Sequence, residues 1–267
     1  MIVRRLRGVG QRVTTCEVAD TPGDDLGVPA VEVAVDVVVT GDPLAQGESV
    51  GLIPYDQPLV VYGGEVPTVL YKCQSNLAED HLILGVPDQP DFLIAREGDA
   101  DSQFTGGVFG PLDWLRNAAE TSNPMFQANL SGAQGITFGI YTLESLDFTT
   151  SQVRLALAVY NGRPVSSTST ERFSSTFPGL SAAGQLDTSP GADLAFANVL
   201  SPSGDTGLFW LVRGLGLFST AVPGDTIPGS GDTFGSDTGY RSTTAEGVVL
   251  FRAPVDGAGS GIFRRGR

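Results

Sequence analysis

The 267-residue chain carries 30 acidic and 16 basic side chains, a formal charge of −14, with 17% of residues charged and 41% hydrophobic. That apolar share is enough for a core, which excludes an acidic disordered tail. The anionic balance excludes a reader of DNA grooves, whose binding needs a basic footprint to release counterions.

The N-terminal stretch is cationic. Arg4, Arg5, Arg7 and Arg12 precede the first acid, Glu17, and Arg264, Arg265 and Arg267 close the chain. Between these tips 9 basic residues stand against 30 acidic ones, a body of −21. Met1-Ile-Val-Arg-Arg-Leu-Arg-Gly8 starts like a signal peptide, but no apolar stretch of sufficient length comes after it, so no cleavable signal is expected. The longest apolar runs fall far short of the ~20 residues of a membrane helix, and no membrane partner is expected. Lys72 is the single lysine beside fifteen arginines, which reads as compositional bias. Cys16 and Cys73 lie 57 positions apart, a spacing that admits a bridge but reads as two buried thiols.

Val31 to Val39 alternates Val with Glu32, Ala34 and Asp36, the pattern of a half-buried strand, and ends at the turn Thr40-Gly41-Asp42-Pro43. Further short apolar segments stand at Leu59 to Tyr62, Val66 to Cys73, His81 to Val86 and Phe92 to Ala95, each bounded by turn residues. Asn76-Leu-Ala-Glu79 has the shape of a capping box, with room for one or two helical turns. Gly98 to Gly107 is small and polar, a long loop or boundary, which predicts an N-terminal β domain over 1–100 and a C-terminal β domain over 101–267. One short helix is predicted near 111–120. Pro111 suits its first turn, Asp113 its positive end, and Trp114, Leu115, Ala118 and Ala119 share a face.

Beyond that helix the pattern returns to β at Ile136 to Thr142. Val153 to Tyr160 alternates before Asn161-Gly162, a strong hairpin signal. Val165 to Thr176, rich in Ser and Thr, is an exposed strand or a long arm. Leu194 to Val199, Leu208 to Val212 and Val248 to Arg252 add further strands. The fold class is therefore mainly β, an antiparallel sandwich or barrel with long Gly-, Ser- and Pro-rich loops. The repeated Gly-Asp-Thr phrases around Asp205, Asp225 and Asp232, with Asp237 just beyond, read as Asx turns; Asp225, Asp232 and Asp237 are also the candidates for a calcium loop.

His81 is the only histidine, so any Ser-His-Asp or Cys-His scheme would have to use it, and multi-histidine metal sites are excluded. Lying in Glu79-Asp80-His81-Leu82-Ile83-Leu84, it reads as a structural histidine near two acids. Gly-x-Ser-x-Gly, the Walker loop and the dinucleotide-binding glycines are lacking, so no catalytic residue and no cofactor are predicted. Carboxylate-pair glycan hydrolysis needs only two acids at the right separation. Glu144, Asp147 and Glu171 lie near β segments, but nothing distinguishes them from a solvated face.

The Gly-Ser-Thr-rich loops, the arms Met1 to Arg12 and Gly257 to Arg267, and the lack of a catalytic set make the chain resemble a virion structural protein of a tailed virus of bacteria or archaea. The stretch from Val37 to Gly51 is similar to small β domains of head decoration and tail proteins. The resemblance implies a non-enzymatic subunit, a capsid decoration or cement protein or another head or tail component, assembled in the host cytoplasm into the virion. Its partners would be copies of itself and other virion proteins, with Arg4, Arg5, Arg7, Arg12, Arg264, Arg265 and Arg267 as assembly contacts and no sequence-specific nucleic acid. The alternatives are a fibre-like module binding a surface glycan or receptor, and a carboxylate-based glycan hydrolase.

Overall fold

The computed structural model describes residues 2–3, 12–18, 32–39, 41–44, 47–53, 60–62, 68–85, 91–101, 106–114, 125–147, 150, 152–167, 169–174, 187–188, 194–212, 216–236, 241–243, 248–257 and 259–265. These residues form five antiparallel sheets, each built from strands consecutive in the chain. The first joins β1 (Ile2–Val3), β2 (Arg12–Val18) and β3 (Glu32–Val39) in that order. The second contains β4 (Val50–Leu52), β5 (Val60–Tyr62), β6 (Thr68–Ser75), β7 (Asp80–Gly85) and β8 (Phe92–Arg96), ordered β4-β6-β7-β8 with β5 also on β6.

The third sheet runs β13-β12-β11-β10-β9, with β9 at Ala100–Asp101, β10 at Gly107–Trp114, β11 at Met125–Ser131, β12 at Phe138–Asp147 and β13 at Gln152–Tyr160. The fourth is β14 (Arg172–Phe173), β15 (Asp187–Thr188), β16 (Leu194–Ser201), β17 (Thr206–Val212) and β18 (Gly216–Ala221), ordered β14-β16-β17-β18 with β15 on β16. The fifth is β19 (Arg241–Thr243), β20 (Val249–Val255) and β21 (Gly259–Arg265).

Alternation along the strands decides which core each residue enters. Leu82 and Leu84 of β7 join Phe92, Phe109, Phe126 and Tyr141 between the second and third sheets. This core crosses residue 100, where the sequence predicts a boundary. Ile83 turns the other way, to Val50, Tyr71 and Cys73. In β12, Tyr141 and Leu143 face the first of these cores while Phe138 and Ile140 pack with Phe173, Phe196 and Phe209. In β17, Phe209 and Leu211 enter that second core, and Leu208 and Trp210 pack with Phe234, Val249 and Phe251 of the next. The uninterrupted run Leu208 to Leu211 is thus strand buried on both faces.

Three local expectations need correction. Pro111 to Trp114 lie in β10 as extended strand, not in the first turn of a helix; 115–120 lie outside the described residues, and among those described there is no α-helix. A ladder shift between Phe109 and Leu112 accommodates Pro111, which has no N–H to give, and Leu112 is fully buried. Asn161-Gly162 does turn, with Gly162 at φ 86°, but β13 pairs with the preceding β12 rather than with a strand beyond Gly162. Asn161 Oδ1 instead accepts the N–H groups of Thr137 (2.8 Å) and Phe138 (3.1 Å), and Pro164 removes a donor from any ladder beyond. Finally, most of the predicted arm Gly257 to Arg267 is strand: β21 pairs along its length with β20, from Val249 opposite Arg265 to Val255 opposite Gly259.

Asn198 on β16 is fully buried on the strand face that also carries Phe196 and Leu200, and among the described residues neither its amide oxygen nor its nitrogen has a hydrogen-bond partner. An unsatisfied buried amide is destabilising relative to an apolar group of the same branching. Asn198→Leu is expected to raise stability by about 1–2 kcal/mol, read from the midpoint of urea unfolding.

Candidate functional site

The densest polar constellation lies on β6, β7 and β8, on both faces of the second sheet. Cross-strand register sets Cys73 opposite His81 and His81 opposite Arg96, a row across three strands. Above it lies Glu48, carried on a short hairpin held by Leu44 N–H to Glu48 O (2.8 Å), Val50 N–H to Asp42 O (2.8 Å) and Gly41 N–H to Val50 O (2.7 Å). Gly51 lets this hairpin settle on β6, since a Cβ there would lie 2.8 Å from the Ser75 carbonyl oxygen.

Glu48 Oε2 is hydrogen-bonded to His81 Nε2 at 3.1 Å, and Glu48 Oε1 accepts from Arg96 Nη1 at 3.0 Å. Arg96 also donates to Asp99 Oδ1 from Nε (3.0 Å) and Nη2 (2.6 Å). Burial alone would raise the Glu48 carboxyl, but the hydrogen bond with Ser75 and the attraction of His81 and Arg96 outweigh it and hold it below its ordinary 4.5. Cys73 is pushed up to about 12 by burial and then by Asp91 and Asp80, so it stays a thiol rather than a nucleophilic thiolate. Tyr71 donates to Asp91 Oδ2 at 2.7 Å, and burial first, then that carboxylate, pushes the phenol upward.

On the opposite face, Lys72 Nζ lies 2.9 Å from Asp80 Oδ2, with both side chains buried. The pair grips the backbone of one residue of the third sheet on both sides: Leu112 N–H donates to Asp80 Oδ2 at 3.0 Å, and Lys72 donates to Leu112 O. Gln74 Nε2 supplies a further donor to Asp80 Oδ1 at 3.2 Å. The arrangement binds charge and backbone tightly. With His81 only 1% exposed, the imidazole is enclosed rather than presented to a solution substrate.

Of the predicted contact residues, Arg264 and Arg265 stand on β21 and Arg12 on β2; Arg4, Arg5, Arg7 and Arg267 lie outside the described residues. Arg265 turns back, donating from Nη1 to Ser219 O at 2.6 Å. Asp225 and Asp232 shape a small hairpin through their backbones: Phe234 N–H donates to Asp225 O (3.0 Å) and Ile227 N–H to Asp232 O (2.7 Å). Asp237 is outside the described residues. Among those described, the donors gathered closely enough for one ion are instead Glu48, Glu79 and His81.

Glu144 is paired with Arg154 at 3.0 Å on an exposed face, and Glu171 Oε2 accepts from Ser203 Oγ at 3.1 Å, so both have local structural work. The sequence does not mark Glu48, Arg96 or Lys72 as site residues. Only Lys72 leaves a trace there, as a charge inside the apolar strand Thr68–Ser75. Comparison with protein-family models, curated proteins and solved structures finds no match to this chain.

Lys72→Met leaves Asp80 charged and buried and the Leu112 carbonyl short of a donor, an expected loss of about 3–5 kcal/mol in equilibrium unfolding. Adding Asp80→Leu should recover only part of that, because the Leu112 N–H then loses its partner as well as the carbonyl. The lowered Glu48 carboxyl contributes stability above the ordinary carboxylate range, which is lost as pH falls through the folded value. Urea titrations should therefore show wild type more stable than Glu48→Gln near neutral pH, with the gap closing below about pH 4.

Proposed function

We propose that this protein is a non-enzymatic structural subunit of a virion, a capsid decoration or cement protein or another head or tail component, whose partners are copies of itself and other virion proteins. The supporting observation is the outer face of the fifth sheet. Val249, Phe251 and Ala253 of β20 point into the core, so Leu250 and Arg252 point out. The register sets Arg264 opposite Leu250 and Ile262 opposite Arg252, giving a patch of two aliphatic and two guanidinium side chains. Ile262 is 85% exposed.

An apolar centre flanked by cations is complementary to an acidic surface, and the chain between its arginine tips supplies one at −21. Among the described residues β21 pairs only with β20, so its outer edge also has backbone groups to offer a neighbour. The patch on one copy and acidic surface on the next would be a heterologous contact, the kind that builds rings or extended arrays. The remaining arginines of the tips, Arg4, Arg5, Arg7, Arg12 and Arg267, would add salt-sensitive contacts, each weak alone.

Sedimentation of the purified protein across concentration and salt tests this reading. Self-association is expected, weakened about tenfold or more by Ile262→Asp and, at low salt, by Arg252→Ser with Arg264→Ser. A wild type that stays monomeric at high concentration and is absent from particles by mass spectrometry would overturn it.

A further inference from the structure

We infer that Glu48, Glu79 and His81 form a binding site for a divalent transition-metal ion, with zinc the best match to the donor set. One ligand atom from each of the three lies within 4.8 Å of the others. The tightest pair, Glu48 Oε2 and His81 Nε2, are 3.1 Å apart. Zinc binds imidazole nitrogen and carboxylate oxygen at roughly 2.0–2.2 Å, so two tetrahedral donors sharing one ion stand about 3–3.5 Å apart. The pair already has that spacing.

The surroundings prepare each donor. Arg96 takes Glu48 Oε1 at 3.0 Å, which orients the carboxylate with Oε2 toward the imidazole, the kind of outer hydrogen bond that fixes ligand geometry. The Arg96 charge is itself met by Asp99 at 2.6 Å, which reduces its opposition to a cation. Glu79 comes from the β6–β7 turn, where Ser75 N–H donates to Glu79 O (2.9 Å) and Ser75 Oγ accepts Leu77 N–H (3.1 Å). The same turn is stitched to the Glu48 hairpin by Asn76 N–H to Ser49 O (2.9 Å) and Ser49 N–H to Asn76 Oδ1 (3.1 Å). The two carboxylates thus sit on segments already joined by backbone. Glu79 is partly exposed, giving an ion a route in and its side chain freedom to close the last ångström.

A nitrogen with two carboxylate oxygens favours zinc over calcium or magnesium, which take oxygen alone. Three protein donors leave a fourth position for water. The ion would clamp the hairpin bearing Glu48 to the turn before β7, a role independent of the assembly reading.

The full-length protein, stripped with chelator, should take up one equivalent of Zn2+ by calorimetry, and Tm should rise by about 5 °C or more at a hundredfold excess over Kd. Because His81 is the only histidine, its imidazole NMR signals report the site without ambiguity and should move on Zn2+ addition. Glu79→Gln, at a partly exposed turn, should keep the fold and weaken binding at least tenfold; His81→Gln should abolish it. Absence of saturable binding, an unmoved imidazole signal, or unchanged affinity in Glu79→Gln would overturn the assignment.

Discussion

The third sheet is held to the second through the exposed edge of β10, and the Lys72–Asp80 pair is what closes that edge. β9 is two residues long and covers only Gly107 and Val108. Phe109 is met next, its N–H donating to Asp99 O (2.9 Å) and its carbonyl accepting Gly98 N–H (2.8 Å). Pro111 has no donor to satisfy. Leu112 then falls beyond any described strand on that side, buried completely, with an N–H and a carbonyl that must find partners inside an apolar core. Asp80 takes its N–H and Lys72 meets its carbonyl.

This explains why an ion pair is kept where apolar packing would ordinarily serve as well. Desolvating two charges is expensive, and a buried salt bridge is often replaceable by hydrocarbon without loss. Here the charges also supply the hydrogen bonds that a short neighbour strand cannot, so hydrocarbon would leave the Leu112 N–H and carbonyl without these partners. The chain Glu48–Arg96–Asp99 serves the same edge from the other face, since Asp99 both receives Arg96 and presents the carbonyl that Phe109 uses. The candidate site and the coupling of the sheets are therefore one network viewed from two faces of β7.

Strand positions were legible because the alternation in Glu32–Val39 has the period of a strand, and because the apolar runs at 80–85 and 208–211 reflect directly which residues are buried. Periodicity failed at Pro111 to Trp114, where a proline and an amphipathic stretch after it fit a helix start as well as a strand with a bulge. The ladder decided, since Leu112, Asp113 and Trp114 pair with Ala128, Gln127 and Phe126. The polar network was hidden for a different reason. Glu48, His81 and Arg96 are spread over 48 positions, and nothing local records that a hairpin folds one onto the other two. Lys72 had a local mark, a charge at the centre of an apolar strand, but its meaning depended on a backbone group forty residues away.

The two outer layers of the connected cores are finished differently, and this gives the molecule its polarity. The second sheet has hydrocarbon on both faces, and its outlying Glu48 hairpin is pinned by ion pairs and backbone bonds. The fifth sheet packs Phe251 and Phe263 inward, with their rings stacked at 5.4 Å, but among the described residues no layer lies across Leu250 and Ile262. Burial of those side chains would be favourable, while Arg252 and Arg264 beside them disfavour contact with the same patch on another copy. In the assembly we propose, like-charge repulsion across a symmetric pairing would direct the apolar patch toward a different, acidic surface, so that charge and hydrophobicity would both favour a head-to-tail contact.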